Sequence, residues 1–414
     1  MSKSLVPQIR FKGFTAPWEQ RCFSDIAEVR RGLTYTPDHL TNTKINSTRV
    51  LRSSNIFDGS FICSDKDDVF VTKNIVRIKT IKNGEILVTA ANGSSALVGK
   101  HCIVQGVSDG SAVHGGFMLA VKTSFPGFLQ ASMNSEWYEK FIKIYSSGGN
   151  GSIGNLSGSV LLKQEIPIPE EHEIKQIGVF FEKIDSLITL HQRKCDLLKN
   201  LKKSLLEKLF PKNNKSTPEI RFKGFTDAWE QYKLGDCSEY TIGGGTPDTS
   251  NTQFWKGVIP WIQSSDLTEG SCFQVSIRKY ISQKAIAASA TRLVPKNSLS
   301  IITRVGVGKL ALLPFDYCTS QDFLSFVSLK IDKKFSVYAI GLILNDIKKS
   351  LQGTSIKGIT KNEIISSKII IPKVSEQNKI GSTLFRIDSL ITLHQRKLEK
   401  LKNIKKSLLE KMFV

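Results

Sequence analysis

The segment IDSLITLHQRK stands at residues 184–194 and recurs, unchanged, at 387–397. A second pair frames the same pattern: IRFKGFTAPWEQ at 9–20 and IRFKGFTDAWEQ at 220–231. Extended around the first pair, residues 177–210 and 380–413 are identical at 24 of 34 positions. Neither stretch contains proline, and each has a single glycine near its start, so both are predicted as long helices. At about 1.5 Å per residue each would run roughly 50 Å. Tandem similarity at so long a period is a domain duplication and not a solenoid of short repeats.

The apolar spacing within the two helices is 4-3-4-3. It runs through Ile177, Phe181, Ile184, Ile188, His191, Cys195, Leu198, Lys202, Leu205 and Leu209 in the first. In the second it runs through Ile380, Leu384, Ile387, Ile391, His394, Leu398, Leu401, Lys405, Leu408 and Met412. An amphipathic helix lying on its own globule would show an apolar stripe. A seam sustained over this many heptads favours pairing between the helices. Ile184, Ile188 and Leu198 would then face Ile387, Ile391 and Leu401, with His191 and His394 as seam residues setting register. The lysines Lys202, Lys203, Lys405 and Lys406 read as a solvated face.

The bulk composition agrees with a folded chain of at least two domains. It has 414 residues, 40% hydrophobic and 23% charged. No apolar run approaches a membrane span, and the opening MSKSLVPQIRFKGF has no apolar core of a secretory signal. Seven cysteines without C-x-x-C spacing suggest reduced thiols and a cytoplasmic setting, not a disulfide framework or zinc site. The net charge of +21 points to an anionic partner, and nucleic acid is the commonest.

Between their shared ends the halves diverge. Residues 21–170 and 232–370 both read as short strands and turns, but only weak echoes connect them. VLRSSNIFDG at 50–59 answers WIQSSDLTEG at 261–270, and GSIGNLSG at 151–158 answers TSIKGITK at 354–361. Shared ends keep an architecture; unlike middles give unlike specificities. The polar linker PKNNKSTP at 211–218 opens the second half.

Catalytic patterns are missing. RVGVGKLA at 304–311 and GSSALVGKH at 93–101 lack the glycine spacing that aims backbone N–H groups at a phosphate. No Asn-Pro-Pro-aromatic segment, H-E-x-x-H or G-x-S-x-G occurs, and the six histidines show no ligand spacing.

Taken together, IRFKGFTDAWEQ, GGGTPDTSNTQFWKGVIPWIQSSDL at 243–267, IPIPEEHEIKQI at 166–177, IPKVSEQNKI at 371–380 and the twin helices resemble the specificity subunits of bacterial type I restriction-modification enzymes. The resemblance covers nearly the whole chain. It implies an α+β fold with two tandem, pseudo-repeated target recognition domains separated by long helices that form an antiparallel coiled coil. The implied boundaries are 1–170 for the first recognition domain, 171–212 for a central spacer helix, 213–372 for the second domain and 373–414 for a C-terminal spacer helix. It also implies a subunit without catalysis or cofactor. Such a subunit reads a bipartite, asymmetric double-stranded DNA target. It docks two methyltransferase subunits and, through them, restriction subunits. The first half departs from the family pattern: RRGLTYTPDHL at 30–40 stands in place of a Gly-Gly-Thr-Pro opening, and EEHEIKQI at 170–177 stands where Glu-Gln is common.

If DNA is the partner, polar and basic residues in glycine-rich turns are the candidates for contact, because Arg matches guanine and Asn or Gln matches adenine. They are Arg52, Ser53, Asn55, Ser94 and Lys100 in the first half, and Ser264, Ser265, Arg304, Lys309, Gln321 and Lys357 in the second. Each could equally be a satisfied turn residue. Two other classes compete: a self-sufficient DNA methyltransferase or nuclease with an unrecognised site, and a scaffold whose basic surface is incidental.

Overall fold

The computed structural model describes residues 5–63, 68–145, 155–212, 215–304, 306–350 and 358–414. Packing divides the chain into two units: Met1–Arg193 joined by His394–Val414, and Lys194–Leu393. The division falls inside both long helices. The central helix Glu171–Lys208 gives its beginning to the first unit and its end to the second, and the C-terminal helix Val374–Met412 does the reverse.

Each unit has the same sheet plan despite the diverged sequence. In the first, Ala27–Arg31, Met118–Thr123, Ile86–Thr89 and His101–Ile103 lie side by side in that order, all antiparallel. In the second the corresponding order is Ser238–Gly243, Phe323–Leu329, Leu299–Ile302 and Leu310–Leu312. The inner strands Ile86–Thr89 and Leu299–Ile302 are buried at every position, so they read as continuous runs and not as alternation. The buried hydroxyl of Ser300 is satisfied by Tyr317 and Ser325, each at 2.6 Å.

A second sheet in each unit contains one parallel pair. Ser47–Leu51 runs parallel to Ala112–His114, and Ile259–Ile262 runs parallel to Tyr317–Thr319. The units differ at its margin. Leu40–Thr41 adds beyond Val69–Thr72 in the first, whereas Leu293–Val294 adds beside Tyr317–Thr319 in the second. A short ribbon closes each unit: Glu19–Cys22 with Glu165–Ile168, and Glu230–Lys233 with Lys368–Ile371.

The first half lacks a Gly-Gly-Thr-Pro opening but keeps the glycine that matters. A Cβ on Gly32 would lie 1.9 Å from the Gly115 carbonyl oxygen, and one on Gly244 would lie 1.8 Å from that of Ser320. At each place the chain passes so close to the other sheet's parallel strand that only glycine fits. The next amides then bond across: Leu33 N–H to His114 O at 2.7 Å, and Gly245 N–H to Thr319 O at 2.9 Å.

The repeated IRFKGFT…WEQ segment joins each globule to the end of a long helix. The Ile9 amide donates to the Lys411 carbonyl at 3.0 Å, and the Ile220 amide donates to that of Lys208 at 3.0 Å. The tryptophan of each copy enters an aromatic triad. Phe413 meets Trp18 at 5.8 Å and Phe128 at 5.8 Å; Phe210 meets Trp229 at 6.0 Å and Phe335 at 5.5 Å. Such offset and edge contacts add to the large area these rings bury. The one glycine of each helix lets the triad form. A Cβ on Gly178 would lie 2.9 Å from the Phe128 amide nitrogen, and one on Gly381 would lie 2.5 Å from that of Phe335.

The arginine of each copy forms a two-pronged ion pair with a buried glutamate on the first turns of a long helix. Arg10 Nε and Nη2 each lie 2.7 Å from the Glu173 carboxylate; Arg221 Nε and Nη2 lie 2.8 and 2.7 Å from that of Glu376. Both glutamates are fully enclosed, and the hydrogen bonds each accepts from its arginine raise that arginine's pKa above its ordinary value.

The helices run antiparallel in both units. In the first, Asp185 pairs with Lys405 at 2.6 Å and His191 Nδ1 lies 2.8 Å from His394 Nδ1. In the second, Lys202 pairs with Asp388 at 2.5 Å and Cys195 Sγ lies 4.0 Å from the Ile391 carbonyl. Ile184, Ile387 and Ile391 are buried and Ile188, Leu198 and Leu401 half-buried. Lys202 and Lys405 do not lie on a solvated face: their side chains are only 18% and 19% exposed. Lys203 and Lys406 are exposed.

Breaking the buried ion pair should be costly in one unit at a time. Arg221→Ala leaves Glu376 charged and enclosed, and is expected to lower the second unit's stability by about 3–5 kcal/mol. Urea unfolding followed by unit-specific probes checks this, and Arg10→Ala should act on the first unit.

A pH response should also separate the units, because all six histidines fall in the first. Burial lowers the pKa of His101 and His114 to about 4. Between pH 6.5 and about 4 the unfolded chain therefore holds more protons than the folded one. The stabilisation is complete above pH 6.5 and is lost as pH falls toward 4, at about 1.4 kcal/mol per pH unit per histidine. Urea midpoints measured from pH 7 to pH 5 should fall for the first unit more than for the second.

Candidate nucleic-acid interface

The echo between VLRSSNIFDG and WIQSSDLTEG is one piece of backbone built twice. Strand Ser47–Leu51 runs into the turn Ser53–Asn55, and strand Ile259–Ile262 runs into the turn Ser264–Asp266. In each, the residue before the turn donates its amide to a side-chain oxygen three residues on. Arg52 N–H reaches Asn55 Oδ1 at 2.8 Å, and Gln263 N–H reaches Asp266 Oδ2 at 2.9 Å. These are side-chain caps of the kind that hold helix starts. Each turn is also tied to the neighbouring loop. The Gly115 amide donates to Leu51 O at 2.9 Å, and the Ser320 amide donates to Ile262 O at 2.8 Å.

The first corner gathers four of its five candidates. Ser53 Oγ accepts from Asn92 Nδ2 at 3.0 Å, and Asn92 Oδ1 accepts from the Ser94 amide at 3.0 Å. Asn55 is engaged at both ends of its side chain, since its Nδ2 donates to Ile62 O at 2.9 Å. It therefore shapes the corner, with Arg52 and Ser53 half-buried beside it and Ser94 exposed. Lys100 is exposed on the following strand's approach, where its carbonyl accepts from Thr89 at 2.8 Å. Asn92 went unnoticed in the sequence, although an Asn-Gly pair at 92–93 is a turn signal.

The second corner brings together Ser264, Ser265, Gln321 and Arg304. The Thr303 amide donates to Asp322 O at 2.8 Å, which sets the exposed side chains of Arg304 and Gln321 on adjoining loops. Lys309 is half-buried and its Nζ donates to Leu267 O at 2.9 Å, which fastens the glycine turn to the corner. Lys357 lies outside the described residues. Arg278, twelve positions beyond Asp266, belongs to no motif, yet its Nε meets Asp266 Oδ1 at 2.7 Å.

The model of the type I restriction modification DNA specificity domain matches the chain twice, over residues 16–200 and 226–403, and the chain belongs to that family. It is 25% identical to the MjaX type I restriction enzyme specificity subunit of Methanocaldococcus jannaschii, over 95% of this chain and 92% of that one. It is 32% identical to the EcoR124I/EcoR124II specificity subunit of Escherichia coli, over 41% of this chain and 43% of the other. The crystal structure of a type I restriction-modification S subunit from M. genitalium shares the fold, with a TM-score of 0.66 over 99% of both chains at 14% identity. Specificity subunits recognise DNA and do not catalyse, and none of these comparisons supports a self-sufficient methyltransferase or nuclease. No helix among the described residues is long and apolar enough to cross a membrane.

The cap residue gives a test of the corner itself. Asn55→Ala removes an acceptor for the Arg52 amide and a donor to Ile62, and is expected to cost about 1–2 kcal/mol. Asn55→Asp keeps the acceptor, as Asp266 does in the other unit, and should recover part of that loss in thermal unfolding.

Proposed function

We propose that each unit reads one half of a split, asymmetric DNA sequence at its corner. The first would use Arg52, Ser53, Ser94 and Lys100, with Asn55 shaping the turn. The second would use Ser264, Ser265, Arg304 and Gln321, with Lys309 fastening the turn and Lys357 as a further candidate. In this proposal residues 1–170 and 213–372 are the target recognition domains, and 171–212 and 373–414 are the spacer helices. The observation that carries it is the twice-built corner: the same backbone, capped in the same way, presents different side chains. A duplicated reader of one half-site would have no use for that difference.

The helices supply the second surface. Leu187, Leu190 and Ile404 are exposed in the first unit, and their repeat counterparts Leu390, Leu393 and Leu201 are exposed in the second. Two identical methyltransferase subunits would each meet a like set of apolar side chains, which is how one asymmetric chain accepts two copies of a partner. Restriction subunits would join through that assembly. The free thiols of all seven cysteines suit a reducing cytoplasm.

Phosphate contacts should dominate affinity, given the net charge of +21. If roughly six to ten phosphates are neutralised, raising salt from about 50 to 200 mM should weaken binding by about 10³- to 10⁵-fold. The test is a titration of the assembled complex against a DNA pool, with selection of bound sequences at each salt concentration. A split consensus with a steep salt slope is expected. A flat response, or a pool without sequence preference, would remove the proposal.

A further inference from the structure

The two corners differ most in the residue that closes them. In the second unit Arg278 stands just before Lys279, which pairs with Trp261 on the strand leading into the turn. Its guanidinium is held on three acceptors: Nε to Asp266 Oδ1 at 2.7 Å, and Nη2 to the Ser265 carbonyl at 2.7 Å and to Ser265 Oγ at 2.9 Å. Gln263 Nε2 donates to the same Ser265 hydroxyl at 3.1 Å. Asp266 is fully enclosed, yet the Arg278 side chain remains 55% exposed. Among the described residues Nη1 has no acceptor. A buried carboxylate thus fixes a planar group whose side chain stays more than half exposed, with the two donors of Nη1 not engaged among the described residues.

The first unit has the opposite charge at this place. Asp68 stands just before Val69, which pairs with Val50 on the equivalent strand, and its carboxylate is held by Arg49 Nη2 at 2.6 Å. Where Asp266 would be, the turn carries the neutral Asn55. The backbone is common, so the difference lies in what the corner can recognise.

We propose that Arg278 is a specificity-determining residue that reads a guanine in the half-site of the second unit. This rests on the DNA-reading function proposed above. Guanine offers two acceptors, O6 and N7, on its major-groove edge, and arginine is their commonest partner; here Nη1, the nitrogen not engaged by Asp266 or Ser265, is the donor toward that edge. Holding the guanidinium on Asp266 and Ser265 removes the rotamer freedom that a long side chain otherwise loses on binding. A lysine cannot replace it, because an ammonium lacks the planar fork that meets Asp266 and the base together.

The experiment selects DNA from a randomised library with the full chain assembled with its methyltransferase subunits, comparing wild type, Arg278→Ala and Arg278→Lys. A wild-type complex that selects no sequence would overturn the DNA-reading function itself. Given a wild-type consensus, Arg278→Ala should relax one G·C position in one half-site and weaken cognate binding by about 5- to 150-fold. Binding to unrelated DNA and the other half-site should not change. Arg278→Lys keeps the charge, so its salt slope should match wild type while the same position stays relaxed. Uniform weakening across sequences, with the salt slope reduced by about one in the alanine variant only, would identify a phosphate contact and overturn the proposal. An unchanged consensus in both variants would also overturn it. Thermal unfolding of each complex separates these outcomes from loss of fold.

Discussion

Each globule in this protein depends on a phenylalanine delivered by the end of a long helix. Phe210 closes the core around Trp229 and Phe335, and Phe413, next to last in the chain, closes the core around Trp18 and Phe128. The amide of Ile220 or Ile9 then caps a carbonyl near that helix end, and Arg221 or Arg10 reaches a glutamate on the other long helix. Every residue in this arrangement must sit at a fixed distance from the rest. That requirement accounts for the identity of the repeated segments. The buried arginine–glutamate pair adds geometry more than net energy, because the desolvation of two charges offsets much of their attraction.

The sheets between the fixed ends face no such requirement beyond filling their cores, and hydrophobic cores tolerate many sequences of similar volume. The plan of the sheets is therefore common to both units while the residues are not. What survives at the corner is backbone chemistry: a capped turn at 52–55 and at 263–266, and one glycine at 32 or 244 where the strands nearly touch. Specificity can change at such a place without disturbing the fold, since the caps Asn55 and Asp266 hold the turn from within while Ser94, Arg304 and Gln321 face solvent.

Much of the architecture was legible from the sequence. The heptad seam, the helix lengths and the doubling all follow from spacing that any helix must obey. Lys202 and Lys405 read as solvated in the sequence because a lysine at a seam position has the same spacing whether or not an aspartate lies opposite. The partners Asp388 and Asp185 come from the other helix, at a separation that sequence spacing within one helix cannot reveal. Arg10 and Arg221 lay inside quoted motifs, but their buried glutamates, Glu173 and Glu376, are more than 150 residues away. At the corner, Ser53 and Ser94 could be nominated as turn residues, and Asn92, which links them, was within reach of an Asn-Gly signal. Arg278 was not, because what distinguishes it is a fixed orientation on Asp266 and not a pattern of neighbours.

The central claim is that residues 394–414 belong physically to the first unit. Replacing Phe413 with alanine in the full chain, assembled with its methyltransferase subunits, and sequencing the DNA it selects is the most direct measurement. The half-site read by the first unit should lose definition, because Trp18 and Phe128 lose the ring that closes their core, while the half-site read by the second unit stays intact. Loss confined to the second half-site, or full selectivity at both, would contradict the account.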